Sequence, residues 1–450
     1  MSKAHASISD FFNVQKGERL KTFLLFLWLF LFICVYYVRR PIRRGMVLDG
    51  LGNDNMPWVY MGTALITGVV VWLYSKFAYL PRKKLIGSIY GIFLVNLLMW
   101  WQAFQFDSAI TSGLFWIWLD VFSIMGVTLF WMYANDLFDS SSAKRLFGIV
   151  AAGGGLGAVL GSSITAGLVQ TVGTTNMLLV AAFLVGVTLA IFLFIEKMNE
   201  GAPVRGRRKP AQEFERQKVS SMSEALRLIA GNKFLLFLML VVSFERITPD
   251  LVQFLYHEVL HNMAHGRDAI AALDANLERW RGVCEFGIEL FLVAAVLRKL
   301  GSGLCLSSSA LAILGSLLTF AVFGNPMIVI AIFHSDEALR HSWFKAAKEL
   351  TYTVTSRDVL YTVKPVIEMF CYRFSRGFAG VLILLVNTVF GLGTPGIIAV
   401  GAVTATFWAY CALRLNAEYK RLDAVAQEAE SAEKLSKQIP IEKKEAVAVG

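Results

Sequence analysis

The 450 residues are 56% hydrophobic, 13% aromatic and 17% charged, with a mean hydropathy of +0.57 and a formal net charge of +10. Soluble domains average about 45–50% apolar and about 25% charged residues, so this apolar excess cannot be hidden in soluble cores, and the aromatic content excludes disorder over most of the chain. Cys34, Cys284, Cys305, Cys371 and Cys411 lie in or beside apolar runs and are odd in number, which excludes a disulfide scaffold; in so apolar a chain the basic excess reads as cytoplasmic loops, not as a nucleic-acid surface.

A bilayer core about 30 Å thick takes about 20 apolar residues of helix. Twelve segments meet or approach that length: 21–38, 57–77, 85–106, 112–137, 146–170, 175–196, 233–256, 280–299, 303–323, 326–352, 365–390 and 395–415. The tenth is the most polar, with His334, Asp336, Glu337, Arg340, His341, Lys345 and Lys348, and the loop charges require it to cross. The predicted fold is an all-α membrane protein of twelve transmembrane helices in two parallel six-helix halves.

The expected organisation is a cytoplasmic N-terminus over 1–20, a first half over 21–196, a linker over 197–232, a second half over 233–415 and a tail over 416–450. The linker carries Arg205-Gly206-Arg207-Arg208-Lys209 and reads as a solvated, topology-setting strap. Lys and Arg crowd the loops on one side, while the turns near 107–111, 171–175, 324–325 and 391–394 carry neither. Both termini are therefore expected in the cytoplasm. The first apolar run lacks a small-residue cleavage site and is followed by four arginines, so it is expected to remain as a span. Weak repetition relates the halves: Tyr79 to Leu85 follows the second segment, and Leu297-Arg298-Lys299-Leu300-Gly301 the eighth. Parallel halves about an axis normal to the membrane are the major-facilitator arrangement, with substrate held near the midplane.

No G-x-x-x-x-G-K-[ST] phosphate loop occurs in the sequence, which disfavours ATP-driven pumping. Gly153, Gly157 and Gly161 repeat every four residues inside an apolar helix, a spacing that lets a neighbouring helix approach closely. Charges at membrane depth usually face water or a partner. The densest run is Tyr36-Tyr37-Val38-Arg39-Arg40-Pro41-Ile42-Arg43-Arg44, in which Arg40, Arg43 and Arg44 share a helix face. These arginines sit at the outer end of the first segment, against the positive-inside pattern. Guanidinium groups bind phosphate or carboxylate bidentately, so an anion site is the functional reading and pairing with Asp49 or Asp54 the structural one. Arg373 and Arg376 form a second pair, Arg376 lying about 18 Å from the inner surface by helical rise. Acids available to balance them are Asp120, Glu285, Glu289, Asp336, Glu337 and Glu368. In the seventh segment, Glu245 and Arg246 precede Pro249.

These stretches resemble the bacterial and plastid ATP/ADP translocase family of nucleotide antiporters, and more closely its divergent bacterial relatives. Tyr36 to Arg44 is similar to the end of that family's first helix, where a tyrosine-containing run leads to Arg and then to a basic residue three positions on; Arg40 and Arg43 take those places. Phe130-Trp131-Met132-Tyr133-Ala134-Asn135, then Ala143 to Ile149 and the glycine helix, resemble its fourth and fifth helices. Lys364 through Gly377 resembles the eleventh, with Lys364, Ile367, Glu368, Arg373 and Gly377 on the pattern and Arg376 replacing a functional lysine. The family's functional glutamate on the fourth helix aligns with Leu119, beside Asp120, and Arg44 stands where an acid is usual. The resemblance implies exchange of a nucleotide or another phosphorylated anion; the departures preserve an anion site and leave ATP/ADP selectivity open.

A competing motif is His257-Glu258-Val259-Leu260-His261, which fits the H-E-x-x-H zinc signature, with His265 nearby. A zinc-dependent intramembrane protease using His257 and His261 is one alternative, and a non-transporting sensor on a transporter scaffold is another. The main expectation is a monomeric secondary carrier of the bacterial inner membrane, not an enzyme, with no cofactor and no nucleic-acid partner. Arg40, Arg43, Arg373 and Arg376 would hold a small anionic substrate, with Tyr36, Tyr37, Trp131, Tyr133 and Asn135 beside a nucleotide base. Arg39, Arg44, Asp120, Glu245, Arg246, Glu285, Glu289, Glu337, Arg340 and Glu368 would balance charge or gate. Unpaired without substrate, the arginines would resist closure of an empty cavity.

Overall fold

The computed structural model describes residues 15, 18–77, 82–106, 108–138, 140–199, 222–291, 293–340, 344, 347–348, 351–352, 363–364 and 366–438. Among the described residues the fold is all-helical, with no strand. Helices α1 (Arg19–Gly50), α2 (Met56–Phe77), α3 (Arg82–Ala103), α4 (Ala109–Leu137), α5 (Ser140–Val172) and α6 (Met177–Met198) follow one another through short connections. The short helix α7 (Met222–Gly231) then meets α8 (Lys233–Met263) at a bend of 108°. Asn232 makes that corner: its side chain accepts the Phe234 and Leu235 amides and starts α8. Next come α9 (Arg267–Phe291), α10 (Val293–Phe323) and α11 (Pro326–Leu339), the last begun by an Asn325 cap and a proline in the first turn. Helix α12 (Tyr372–Leu384) is flanked by π-wound turns at Val366–Cys371 and Leu385–Val389, and α13 (Gly393–Gln438) follows.

Among the described residues eight helical spans are long and apolar enough to cross a bilayer, one of them α12 with its flanking π-wound turns, or nine when the bent α7–α8 pair is taken as one span. Two departures from the sequence boundaries matter. The first segment does not stop at residue 38: α1 runs through Pro41 to Gly50, so Arg39 to Arg44 lie inside a helix, not at its end. The predicted spans 280–299 and 303–323 are replaced by α9, which begins at Arg267, and α10, which begins at Val293. The region expected as a polar loop is helical because Asp274, Glu278 and Arg281 turn into the bundle, where partners satisfy them. Most of the predicted linker, residues 200–221, lies outside the described residues, as do nearly all of the N-terminal segment 1–20 and the end of the tail. The described part of the tail continues α13.

Two apolar cores form. One is built almost wholly from α1–α6, around Trp28, Phe32, Phe122 and Phe192. The other is built mainly from the later helices, around Leu238, Tyr256, Phe333 and Trp408. In the first, α1 and α5 touch backbone to backbone. A Cβ at Gly153, Gly157 or Gly161 would collide with the carbonyl oxygens of Phe26, Phe30 and Cys34 respectively, two ladders each stepping by four. The glycine spacing is therefore a packing device. It brings the arginine turn of α1 close to the bundle centre.

Candidate functional site: guanidinium groups around a central cavity

Arg40, Arg43 and Arg44 are 7%, 8% and 0% exposed, in a stretch of α1 from Tyr37 to Leu48 that is buried on every side. Burial of a bare guanidinium is costly, and each one has a compensating partner. The Arg43 Nη1 donates to Asp120 on α4 at 2.5 Å, and its guanidinium lies 3.8 Å above the Trp116 ring. The other oxygen of Asp120 accepts from Arg376 Nη1 on α12 at 2.8 Å. Arg376 in turn stacks over Tyr60 at 4.8 Å and has Asp250 at 3.9 Å. One carboxylate is thus shared by two arginines that come from opposite ends of the sequence.

Asp120 and Arg376 form one wall of a cavity of about 180 Å³, with Arg43 behind Asp120 and outside the lining. Tyr36 of α1, Thr63 and Thr67 of α2, Ser123 of α4, Arg246 of α8, and Tyr372 and Arg373 of α12 complete the lining. Arg246 is paired with Asp250 at 2.8 Å and donates to the Tyr372 hydroxyl at 3.3 Å. Arg373 takes part in no described ion pair, and its buried Nε has no hydrogen-bond partner among the described residues. Among its lining residues the cavity therefore carries more guanidinium than carboxylate.

A second, denser network engages Tyr37, Arg40 and Arg44 of the same stretch of α1. The Arg44 Nη1 donates to both oxygens of Asp274, at 2.6 and 2.8 Å, and to Glu278 at 2.7 Å. Arg40 pairs with Glu337 on α11 and lies 3.3 Å from Glu278. Arg281 binds Glu278 at 2.7 Å, Glu285 at 2.5 Å and the Tyr37 hydroxyl at 2.7 Å, with Glu337 at 3.6 Å. Tyr256 donates to Asp274 at 2.7 Å, and its hydroxyl lies 3.1 Å from His334 Nε2. Beyond the network, Asp268 accepts the Thr174 amide at 2.7 Å, which joins the start of α9 to the turn between α5 and α6. On the other side of the cavity, Lys348 pairs with Glu245 at 3.1 Å. Arg340 pairs with Asp336 at 3.1 Å and has Glu337 at 3.9 Å.

The structure brings together Tyr36, Tyr37, Arg40, Arg43, Arg44, Asp120, Arg246, Glu285, Glu337, Arg373 and Arg376 around these two centres. It corrects one expectation directly: Arg40, Arg43 and Arg376 are not unpaired, because carboxylates of the same chain already occupy them. Tyr133 is also placed differently from the base-stacking expectation. It packs against Trp28 and Phe192 in the first core, with ring centroids 5.2 and 5.3 Å away. Trp131 packs on Phe130 and Phe147. Neither lines the cavity. Arg39 stacks on Phe122 at 3.8 Å and donates its Nε to the Val35 carbonyl. The Glu368 Oε1 is buried without a hydrogen-bond partner among the described residues. The side chains of Asn135 and Glu289 lie outside the described residues.

The H-E-x-x-H residues do other work. His257 is buried with its ring edge against Trp116 and 3.4 Å from Gln253, while Glu258 accepts from Thr394 at 2.9 Å and His261 is exposed. Among the described residues no group of three His, Cys, Asp or Glu is arranged around a metal position.

Sequence reasoning missed Asp250, Asp274, Glu278 and Arg281. The last three, with Glu285, step by four, three and four residues, which places them on one helical face. That periodicity was the available signal, and the polar composition of 267–285 concealed it.

Residues 109–334, just over half of the chain, match the family model described as TLC ATP/ADP transporter. ADP,ATP carrier protein 1 of Chlamydia trachomatis serovar D is 22% identical over 347 residues, a match covering 69% of this chain and 65% of that protein. The protein of the same name from Chlamydia pneumoniae is 22% identical over 336 residues, covering 65% and 64%. The chain thus spans just under two thirds of the length of these curated relatives. Among solved structures, a POT family transporter in complex with 5-aminolevulinic acid aligns with a TM-score of 0.61 at 11% identity, covering 90% of this chain and 96% of its own. The nucleoside transporter NupG aligns with a TM-score of 0.58 at 13% identity, covering 89% and 99%. At such identities the likeness concerns the fold alone, which the chain shares with these transporters over about nine tenths of its length. The family model matches just over half of the residues, and the apolar helices agree with it: the chain belongs to the ATP/ADP transporter family.

Proposed function

We propose that the chain is a secondary carrier that exchanges nucleotides of the ATP/ADP kind, or another phosphorylated organic anion, by alternating access. The observation that carries this reading is the Asp120–Arg376 pair in the cavity wall, with Arg43 on the far oxygen of the same carboxylate. A phosphate offers more negative charge and more acceptor oxygens than one carboxylate, and guanidinium forks match it bidentately. It displaces Asp120 from Arg376 and takes Arg373 as a further donor. Tyr36 and Tyr372 line the same cavity and would supply aromatic contacts to a base. The cavity of about 180 Å³ is smaller than the pockets of about 300–1,000 Å³ that enclose a whole organic ligand. It suits the phosphorylated end, and the rest of the substrate is admitted as the halves part.

The same reading takes the network of Arg40, Arg44 and Arg281 with Asp274, Glu278 and Glu337 as the closed gate on one side of the membrane. It also takes the chain as a monomer without a cofactor. Twelve spans form two six-helix halves, and both termini face the cytoplasm of a bacterial cell across its inner membrane. The Lys and Arg placement and the two separate apolar cores support that arrangement. Exchange follows from the bridge, because Asp120 ties α4 to α12 until an anion replaces it.

The test is counterflow. In liposomes holding the purified chain, labelled ADP uptake is expected to accelerate when unlabelled nucleotide is trapped inside. Equal uptake with and without internal nucleotide removes exchange, and no saturable uptake of any phosphorylated anion removes transport.

A further inference from the structure

The cavity has a neighbour on the outer surface of the bundle. Between α2 and α12 runs a groove of about 520 Å³, and Ala64 and Arg373 belong to both spaces. Its outer wall is apolar and open to the surroundings: Leu65, Phe374 and Phe370 are 74%, 65% and 48% exposed. Phe370 and Phe374 lie nearly parallel, 14° apart with centroids at 6.2 Å, and form a flat wall. The floor is made of small residues. A Cβ on Gly68 would meet nothing within 4 Å, so the groove is empty above it.

We infer that this groove seats one acyl chain of an anionic phospholipid from the bilayer, with the lipid's phosphate on Arg373. Three features select this occupant. An apolar groove open to the membrane side fits a hydrocarbon chain by shape and polarity. Charge complementarity supplies the second: Arg373 sits where the groove meets the cavity, with no ion pair among the described residues. A guanidinium at that boundary is matched by a phosphate and not by a purely apolar helix. The third is continuity, since Arg373 reaches the lipid from the groove and the aqueous cavity from the other side. The inference stands whatever the carrier's cargo is.

The experiment uses the full chain purified in detergent. Native mass spectrometry compares retention of phosphatidylglycerol with that of a diacylglycerol of the same acyl chains. A phosphatidylglycerol carrying a photoreactive acyl chain maps the contact. One lipid adduct of phosphatidylglycerol is expected, with cross-links on the peptides carrying residues 61–68 and 370–381. Two variants test its two ends. Arg373→Gln removes the charged partner and is expected to lower the adduct population about tenfold. Gly68→Leu, at a position where an added Cβ meets nothing within 4 Å, places a side chain in the groove and is expected to lower it similarly, while an unchanged unfolding temperature shows that the fold is kept. Equal retention of diacylglycerol, cross-links elsewhere, or an adduct that survives both variants overturns the site. Loss with Arg373→Gln alone also overturns it, since the arginine then binds a headgroup or a free anion without the groove.

Discussion

Asp120 of α4 and Arg376 of α12, 256 positions apart in the chain, meet at 2.8 Å in the wall of the central cavity. The same carboxylate holds Arg43, so it is a tie between early and late helices as well as a counter-ion.

If that tie restrains the empty carrier, loosening it changes the kind of flux. Asp120→Asn keeps the side-chain shape and removes the charge. Uptake of labelled nucleotide into liposomes without internal substrate is expected to rise relative to counterflow, so that the exchange ratio falls toward one. An unchanged ratio shows that Asp120 does not restrain reorientation.

Arg376→Ala removes a donor that the substrate phosphate is proposed to share with Arg43. The half-saturating substrate concentration is expected to rise about tenfold or more, the range for a lost charge-assisted hydrogen bond. Arg376→Lys keeps the charge without the fork and is expected to fall between the two. Initial-rate uptake measures this, and an Arg376→Ala variant with wild-type saturation takes α12 out of the site.

Arg44 is fully buried between Asp274 and Glu278. Breaking a buried pair by removing one partner typically costs about 3–5 kcal/mol, because the other charge stays uncompensated. Arg44→Ala is therefore expected to lower the unfolding temperature strongly in detergent. Arg44→Met combined with Asp274→Asn is expected to recover part of the loss, since Glu278 keeps Arg40 and Arg281. Equal destabilisation by the single and double variants contradicts the pairing.

The glycine ladder offers a test with its own control. Gly157→Ala drives a methyl group into the Phe30 carbonyl and is expected to destabilise by about 1–3 kcal/mol as α1 and α5 move apart. Gly186→Ala on α6 meets nothing within 4 Å and is expected to be neutral or to stabilise by about 0.5–1 kcal/mol. Thermal unfolding of the two variants side by side measures the difference.

Composition and helical period alone establish the membrane class, the helical build, the shared side of Arg40, Arg43 and Arg44 on their helix, and the close approach through Gly153, Gly157 and Gly161. Those properties follow from composition and from a period of 3.6 residues, which local sequence carries in full. The likeness of the arginine stretches to nucleotide antiporters was legible for the same reason, since each lies within a short run. Only the tertiary structure decided what opposes each charge. Arg44 and Asp274 are separated by 230 positions, and Arg40 and Glu337 by 297. It also decided that 267–279 is helix and not loop, and that Tyr133 belongs to an aromatic core and not to the cavity. Periodicity tells which face a residue occupies, but hydropathy counts a charge the same whether lipid, water or a carboxylate lies across from it. The free energy of a buried guanidinium is set by that opposing group, and the opposing group is fixed only when the helices have packed.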